Sequence, residues 1–141
     1  MNLVDRQLLE ISEEFTAIDA EFDRYEYLLE LADNLPPCPE NLRTAEHLVP
    51  GCHTQVWLNT YGRRGHFYFA ADSDDPIDKG ILLLLRDLLY GVSLTDAATA
   101  NLNLMSALRL NAGPAADYQN GVEHIVDALQ NAARSLCKVK Q

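Results

Sequence analysis

The segment "EHLVPGCHTQVW", Glu46 to Trp57, sets Cys52 directly after a Pro-Gly pair and just before a strand-like run. Pro50 and Gly51 let the backbone reverse tightly, so the Cys52 thiol belongs at a loop tip instead of along a strand face. A thiolate there is a good nucleophile and sulfur acceptor, provided a partner can reach it. Position alone leaves a second reading open, in which Cys52 is a small apolar side chain packed beneath the loop.

Other thiol chemistries fit the spacing less well. The soft ligands are Cys38, His47, Cys52, His53 and Cys137, with no C-x-x-C pair and no paired Cys/His spacing. That pattern argues against zinc or an iron–sulfur cluster. A cysteine hydrolase needs a histidine base beside the thiol. His53 is adjacent in sequence, which directs the two side chains apart, and nothing in the context of His47, His66 or His124 selects one of them. Cys38 among prolines and Cys137 near the tail are assigned no role.

The second segment is "DSDDPIDKG", Asp72 to Gly80. Asp75 can cap a helix, Pro76 suits its first turn, and Asp78 favours the positive end of its dipole. Capping accounts for the acidic turn without any function. A functional version would bring Asp74 or Lys79 near Cys52, to hold water or tune thiol ionisation.

Charge narrows the partners. Of 141 residues, 21 are acidic and 11 basic, for a net charge of −10. Phosphate recognition needs clustered Lys and Arg, so nucleic acid and anionic membranes are unfavoured, whereas a protein surface with a basic patch is attracted. The N-terminus carries Asp5, Glu10, Glu13 and Glu14 and lacks the pattern of a signal peptide. The longest apolar run, Ile81 to Leu85, is too short to span a bilayer. Three widely spaced cysteines do not suggest a disulfide framework, and a reduced, cytoplasmic protein is expected.

The elements that must position these residues follow from periodicity. Leu8, Leu9, Ile11, Phe15 and Ile18 predict one helix; Phe22, Tyr25, Leu28, Leu29 and Ala32 predict a second, with Asp19 as its cap and Asn34 and Pro36-Pro37 as its stop. "NLPPCPENLRT" is a connecting loop. "QVWLNTY" alternates, Val56, Leu58 and Thr60 on one side, Trp57 and Tyr61 on the other as core or sheet cover. "GRRG" reverses the chain with Arg63 and Arg64 as solvated turn charges, and "HFYFAA" alternates again. "HLV" could add a short strand, giving a small antiparallel sheet of about three strands. From Pro76 onward the chain reads as helical: a buried helix in "ILLLLRDLLYG", short helices after Ser93 or Thr95 and in "NLNLMSALRL", and a last helix with the stripe Val122, Ile125, Val126, Leu129, Ala132, Ala133 and Leu136. The fold class is α+β, in a single domain over 1–141.

Several of these segments together resemble the SufE family of sulfur-acceptor proteins, which includes the CsdE proteins. "RYEYLLELADNLP" is similar to the family's second helix and its exit, and "HLVPGCHTQVWL" to its Gly-Cys signature followed two residues later by Gln-Val-Trp. "FAADSDDPIDKGILLLL" is similar to its strand, acidic turn and Lys-Gly-led helix, and "NGVEHIVDAL" to the start of its C-terminal helix. The likeness runs from Phe15 to Ala133. Two positions depart: His53-Thr54 stand where members often have Gln-Ser, and Tyr118 stands where the family commonly has an arginine.

The resemblance implies a fold shared with IscU-type scaffold proteins. It also implies a cytoplasmic partner, a pyridoxal-phosphate-dependent cysteine desulfurase that holds sulfur as a persulfide. Cys52 would accept that sulfur, stimulate the desulfurase, and deliver to an iron–sulfur scaffold or another sulfur-acceptor protein. Gly51, His53, Gln55, Asp74 and Lys79 would support the cysteine loop. No cofactor is implied on this chain, the pyridoxal phosphate being the partner's. Two rivals stand beside this reading: an IscU-like metal or cluster scaffold, and a desulfurase activator that carries no sulfur.

Overall fold

The structure is a computed structural model and describes residues 2–138; Met1 and residues 139–141, the ends of the expected domain, lie outside the described residues. Helix α1 (Leu3–Thr16) starts at Asn2, whose side chain accepts from the Val4 and Asp5 amides, and it buries Val4, Leu8 and Phe15. Leu9, predicted on the same stripe, points outward and is exposed.

Helix α2 (Glu21–Ala32) follows, but Asp19 is not its cap. Ala20 takes the extended flanking position, one residue too late for the Asp19 carboxylate to serve. The turn is held from inside instead. The buried Arg24 guanidinium donates to the Ile18 and Asp19 carbonyls at 2.6 and 3.2 Å and to the Arg109 carbonyl at 3.2 Å. Phe22, expected on the inner face, is exposed.

Strands β1 (Val56–Arg63) and β2 (His66–Ser73) pair antiparallel from Val56↔Ser73 to Arg63↔His66. Arg64 and Gly65 join them with φ of 51° and 79°. Two positive φ values give the mirror-image turn whose twist matches a hairpin. One face buries Val56, Leu58, Phe67, Phe69 and Ala71 against the helices. The expected third strand is reduced to one bridge, Leu48↔Trp57. Pro50 and Gly51 turn the chain away at once, so among the described residues the sheet has two strands.

On the hairpin's other face, Arg43 from the end of the proline-rich loop lies over Trp57. Trp57 is buried there, while Tyr61 near the tip is exposed and stacks on Tyr68 at 5.5 Å.

Helix α3 (Pro76–Leu89) begins at Asp75, whose carboxylate accepts from the Ile77 and Asp78 amides, and it is buried nearly all round. At Gly80 a Cβ would stand 2.5 Å from the Leu28 carbonyl oxygen, so only glycine permits this contact between α2 and α3. Helices α4 (Leu94–Thr99, capped by Ser93) and α5 (Leu104–Ala107) are short. A 3-10 turn at Gly113–Tyr118 leads into α6 (Gln119–Cys137). Of the α6 stripe, Val122, Ile125, Val126, Leu129 and Ala133 are buried, with Ala132 and Leu136 partly so. Helix α6 packs on α4 and β1. The architecture is α+β, and among the described residues no helix is long and apolar enough to cross a membrane.

Candidate functional site

The Cys52 turn is clamped at its base where the Val49 amide donates to the Val56 carbonyl at 2.8 Å. The intervening residues project from the end of the sheet towards the start of α6. Gly51 has φ of 85°, a conformation that disfavours any side chain. The His124 ring also lies over it, and a Cβ there would be 2.8 Å from Nε2.

Cys52 is half-buried, with its sulfur 3.6 Å from the Gly121 carbonyl oxygen as a weak hydrogen bond. Gly121 faces the sulfur without a side chain; a Cβ added there would sit 3.9 Å away. Burial pushes the Cys52 thiol up, and the charge of Asp78 adds to the effect. The resting group is a thiol, sheltered on one side by the first turn of α6.

Two residues on, the Thr54 hydroxyl donates to Asp78 Oδ2. Asp78 is 2% exposed, in the first turn of α3. Burial raises its carboxyl, the Thr54 bond pulls the other way, and neighbouring Asp75 raises it further. The Gln55 carbonyl then accepts from the Ser73 hydroxyl at 2.8 Å and the Asp74 amide at 3.3 Å, fixing where β1 begins.

The expected support residues therefore divide. Gly51 forms the turn itself. Gln55 and Asp74 meet through their backbones, while the Gln55 and His53 side chains are exposed. Lys79 lies 4.0 Å from Asp72, in a separate cluster around Arg43. There Arg43 pairs with Asp72 at 2.7 Å and Asp74 at 2.8 Å and lies over Trp57 at 4.7 Å, while the Cys38 thiol donates to Asp72 at 3.1 Å. Burial alone would raise Asp72, but the bonds from Cys38, Arg43 and the Ser73 backbone outweigh it and leave the carboxyl below its ordinary value.

Sequence reading misses four members of the turn's surroundings: Thr54, Asp78, Gly121 and His124. Asp78 reads from its position as a dipole partner, although its burial and its bond to Thr54 dominate. Gly121 and His124 stand three apart at the start of a helix, a spacing that puts both on one face. Tyr118, at the position where members of the resembled family commonly have an arginine, donates to the Asp75 carboxylate at 2.7 Å. It thereby ties the entry of α6 to the cap of α3. Among the described residues no group of three or more His, Cys, Asp or Glu is placed to hold a metal ion.

Residues 9–133 match the family model described as "SufE: Fe-S metabolism associated domain". Two chloroplastic quinolinate synthases of Nicotiana tabacum are 33% and 31% identical over 137 residues, 94% of this chain. The chain spans only 19% of the length of those enzymes. An uncharacterized SufE-like protein of Rhizobium meliloti strain 1021 is 28% identical over 129 residues, 88% of this chain and 92% of the relative. The solution structure of a hypothetical protein from Thermus thermophilus shares the fold, with a TM-score of 0.74 at 21% identity over 99% of both chains.

Proposed function

The chain belongs to the SufE family, and from that premise we propose that Cys52 carries sulfur from a pyridoxal-phosphate-dependent cysteine desulfurase to an acceptor in iron–sulfur cluster assembly or another sulfur-using route. The observation that carries this reading is the mount of Cys52. A half-buried thiol sits on a glycine turn and meets α6 at Gly121, whose backbone carbonyl accepts from it and which has no side chain to crowd it. Such a mount can shelter a sulfur atom in the free protein and present it on docking.

The chemistry is a thiol exchange. Cys52 gives up its proton, and its sulfur attacks the outer sulfur of the donor persulfide. The donor's S–S bond breaks, its cysteine leaves as a thiolate that takes up a proton, and Cys52 now bears the S–SH group. One thiol is consumed and one released, so no external oxidant or reductant is required. Carbon–sulfur cleavage in free cysteine is assigned to the partner's cofactor. The excess of acidic residues favours approach to a basic partner surface.

Intact-mass analysis after incubation with a desulfurase and free cysteine tests the reading. One added sulfur atom on the wild type, removed by reductant and absent from Cys52→Ser, is expected. No added sulfur, with the desulfurase still stimulated, would leave a binding activator in its place.

A further inference from the structure

We infer that Asp78 is a positioning residue for the sulfur-carrying turn: by accepting the Thr54 hydroxyl, it latches the turn closed with Cys52 against Gly121. The inference rests on the reading of Cys52 as the carrier and adds what holds it in the sheltered position.

The two ends of the latch differ in how firmly they are fixed. Asp78 sits on α3, the buried central helix, which is locked to α2 through Gly80 and Leu28. Thr54 sits on the turn itself, two residues from the sulfur, with His53 exposed between them. The other attachment beyond the cysteine, at the Gln55 carbonyl, belongs to the sheet and holds the strand start, not the tip. Breaking the Thr54 bond would therefore free the tip and leave the hairpin intact.

Asp78 is also costly as a purely structural residue. It is 2% exposed, and among the described residues no lysine, arginine or histidine forms an ion pair with it. A buried carboxylate without a cation opposes folding unless hydrogen bonds compensate. The groups facing it are Thr54 and Cys52 from the turn, Asp75 on its own helix and Tyr118 from the 3-10 turn before α6. His124 of α6 covers Gly51 on the turn. A negative charge in this setting disfavours a second one on the sulfur, so the latch that closes the turn also keeps the closed thiol protonated.

The test measures the rate at which iodoacetamide modifies Cys52 in the free, full-length protein, as a function of pH. It is run in a Cys38→Ser/Cys137→Ser background so that one thiol reports. A hydrogen bond to a charged group is strong enough that losing it opens the turn about tenfold more often. Thr54→Val is therefore expected to react about tenfold faster at every pH, with the midpoint of the profile unchanged. Thr54→Ser restores the hydroxyl and should return the rate to that of the parent. Asp78→Asn removes the charge, and its profile should move to lower pH, which a merely loosened turn would not do. Thr54→Val at the parental rate, Thr54→Ser as fast as Thr54→Val, or Asp78→Asn with an unmoved midpoint each overturns the latch. Circular dichroism of each variant confirms that the rates belong to folded protein. Sulfur loading is a separate measurement: a parent that takes up no sulfur sinks the carrier reading while these rates still decide the latch.

Discussion

Cys38 and Cys52 are both half-buried thiols beside an aspartate, and burial raises both above the ordinary thiol value. Their mounts are opposite. Cys38 donates to Asp72, which is itself held by Arg43, and the loop around it is stiffened by Pro36, Pro37 and Pro39. Cys52 has a backbone carbonyl 3.6 Å away and a glycine on each side of the contact, Gly51 before it and Gly121 across from it. Under the proposed carrier role, a thiol that exchanges bonds with both a donor and an acceptor needs a mount it can leave. The Cys38 cluster binds loop to strand, whereas the Cys52 turn is held by contacts that can be released.

The largest effect should come from exchanging the two thiols' fates. Cys52→Ser is expected to abolish sulfur loading by a desulfurase, while Cys38→Ser should load within about twofold of wild type, since a substitution away from the reacting atom with its hydrogen bond kept has small effects. Intact mass reads both. Loss of loading in Cys38→Ser would break the contrast and put the two thiols in one relay.

A smaller effect tests the glycine on the Cys52 side. In Gly51→Ala the backbone keeps its φ of 85° at a cost of about 1–2 kcal/mol, and the new methyl meets the His124 ring at 2.8 Å. Denaturant unfolding should show the loss. Combining it with His124→Ala should recover the part due to the ring but not the backbone part. Full recovery in the double variant would mean that crowding, not the left-handed turn, is why glycine stands there.

How much of this is legible in the sequence depends on distance along the chain. Periodicity places the helices and the hairpin, because amphipathic spacing is a local signal and each element's face is set by its own residues. The "DDPID" cap is legible for the same reason. What is lost joins residues far apart: Thr54 to Asp78, Gly51 to His124, Cys38 and Arg43 to Asp72, Tyr118 to Asp75. No spacing rule links them. The Asp19 misreading has another cause, since a helix start can be held by buried Arg24 from the inside as well as by a carboxylate from the outside. The strand expected at "HLV" fails because Val49 pairs back on Val56 and the turn follows immediately, leaving no length for a ladder.

The smallest expected effect is in stability against pH, and there the two aspartates should differ in sign. Asp72 has a folded-state pKa below its unfolded value. Its contribution is present above the ordinary aspartate range and is lost as pH falls through the folded value. Asp78 is raised instead, chiefly by burial. Its folded state holds the proton more tightly, so stability is greatest in acid and falls as pH rises past the unfolded value towards the folded one. Asp72→Asn should therefore flatten the acid side of a thermal-midpoint profile and lower the midpoint at neutral pH. Asp78→Asn should remove the decline on the rising side and hold or raise the neutral midpoint, with each change of about 1 kcal/mol moving it by about 2–4 °C for a domain of this size. If both variants lose stability equally at neutral pH, Asp78 is as well paired as Asp72 and the difference between the two mounts is one of position alone. If they diverge as the signs require, the carboxylate beside Cys52 opposes folding where the one beside Cys38 supports it, which is what a releasable mount and a fixed one should show.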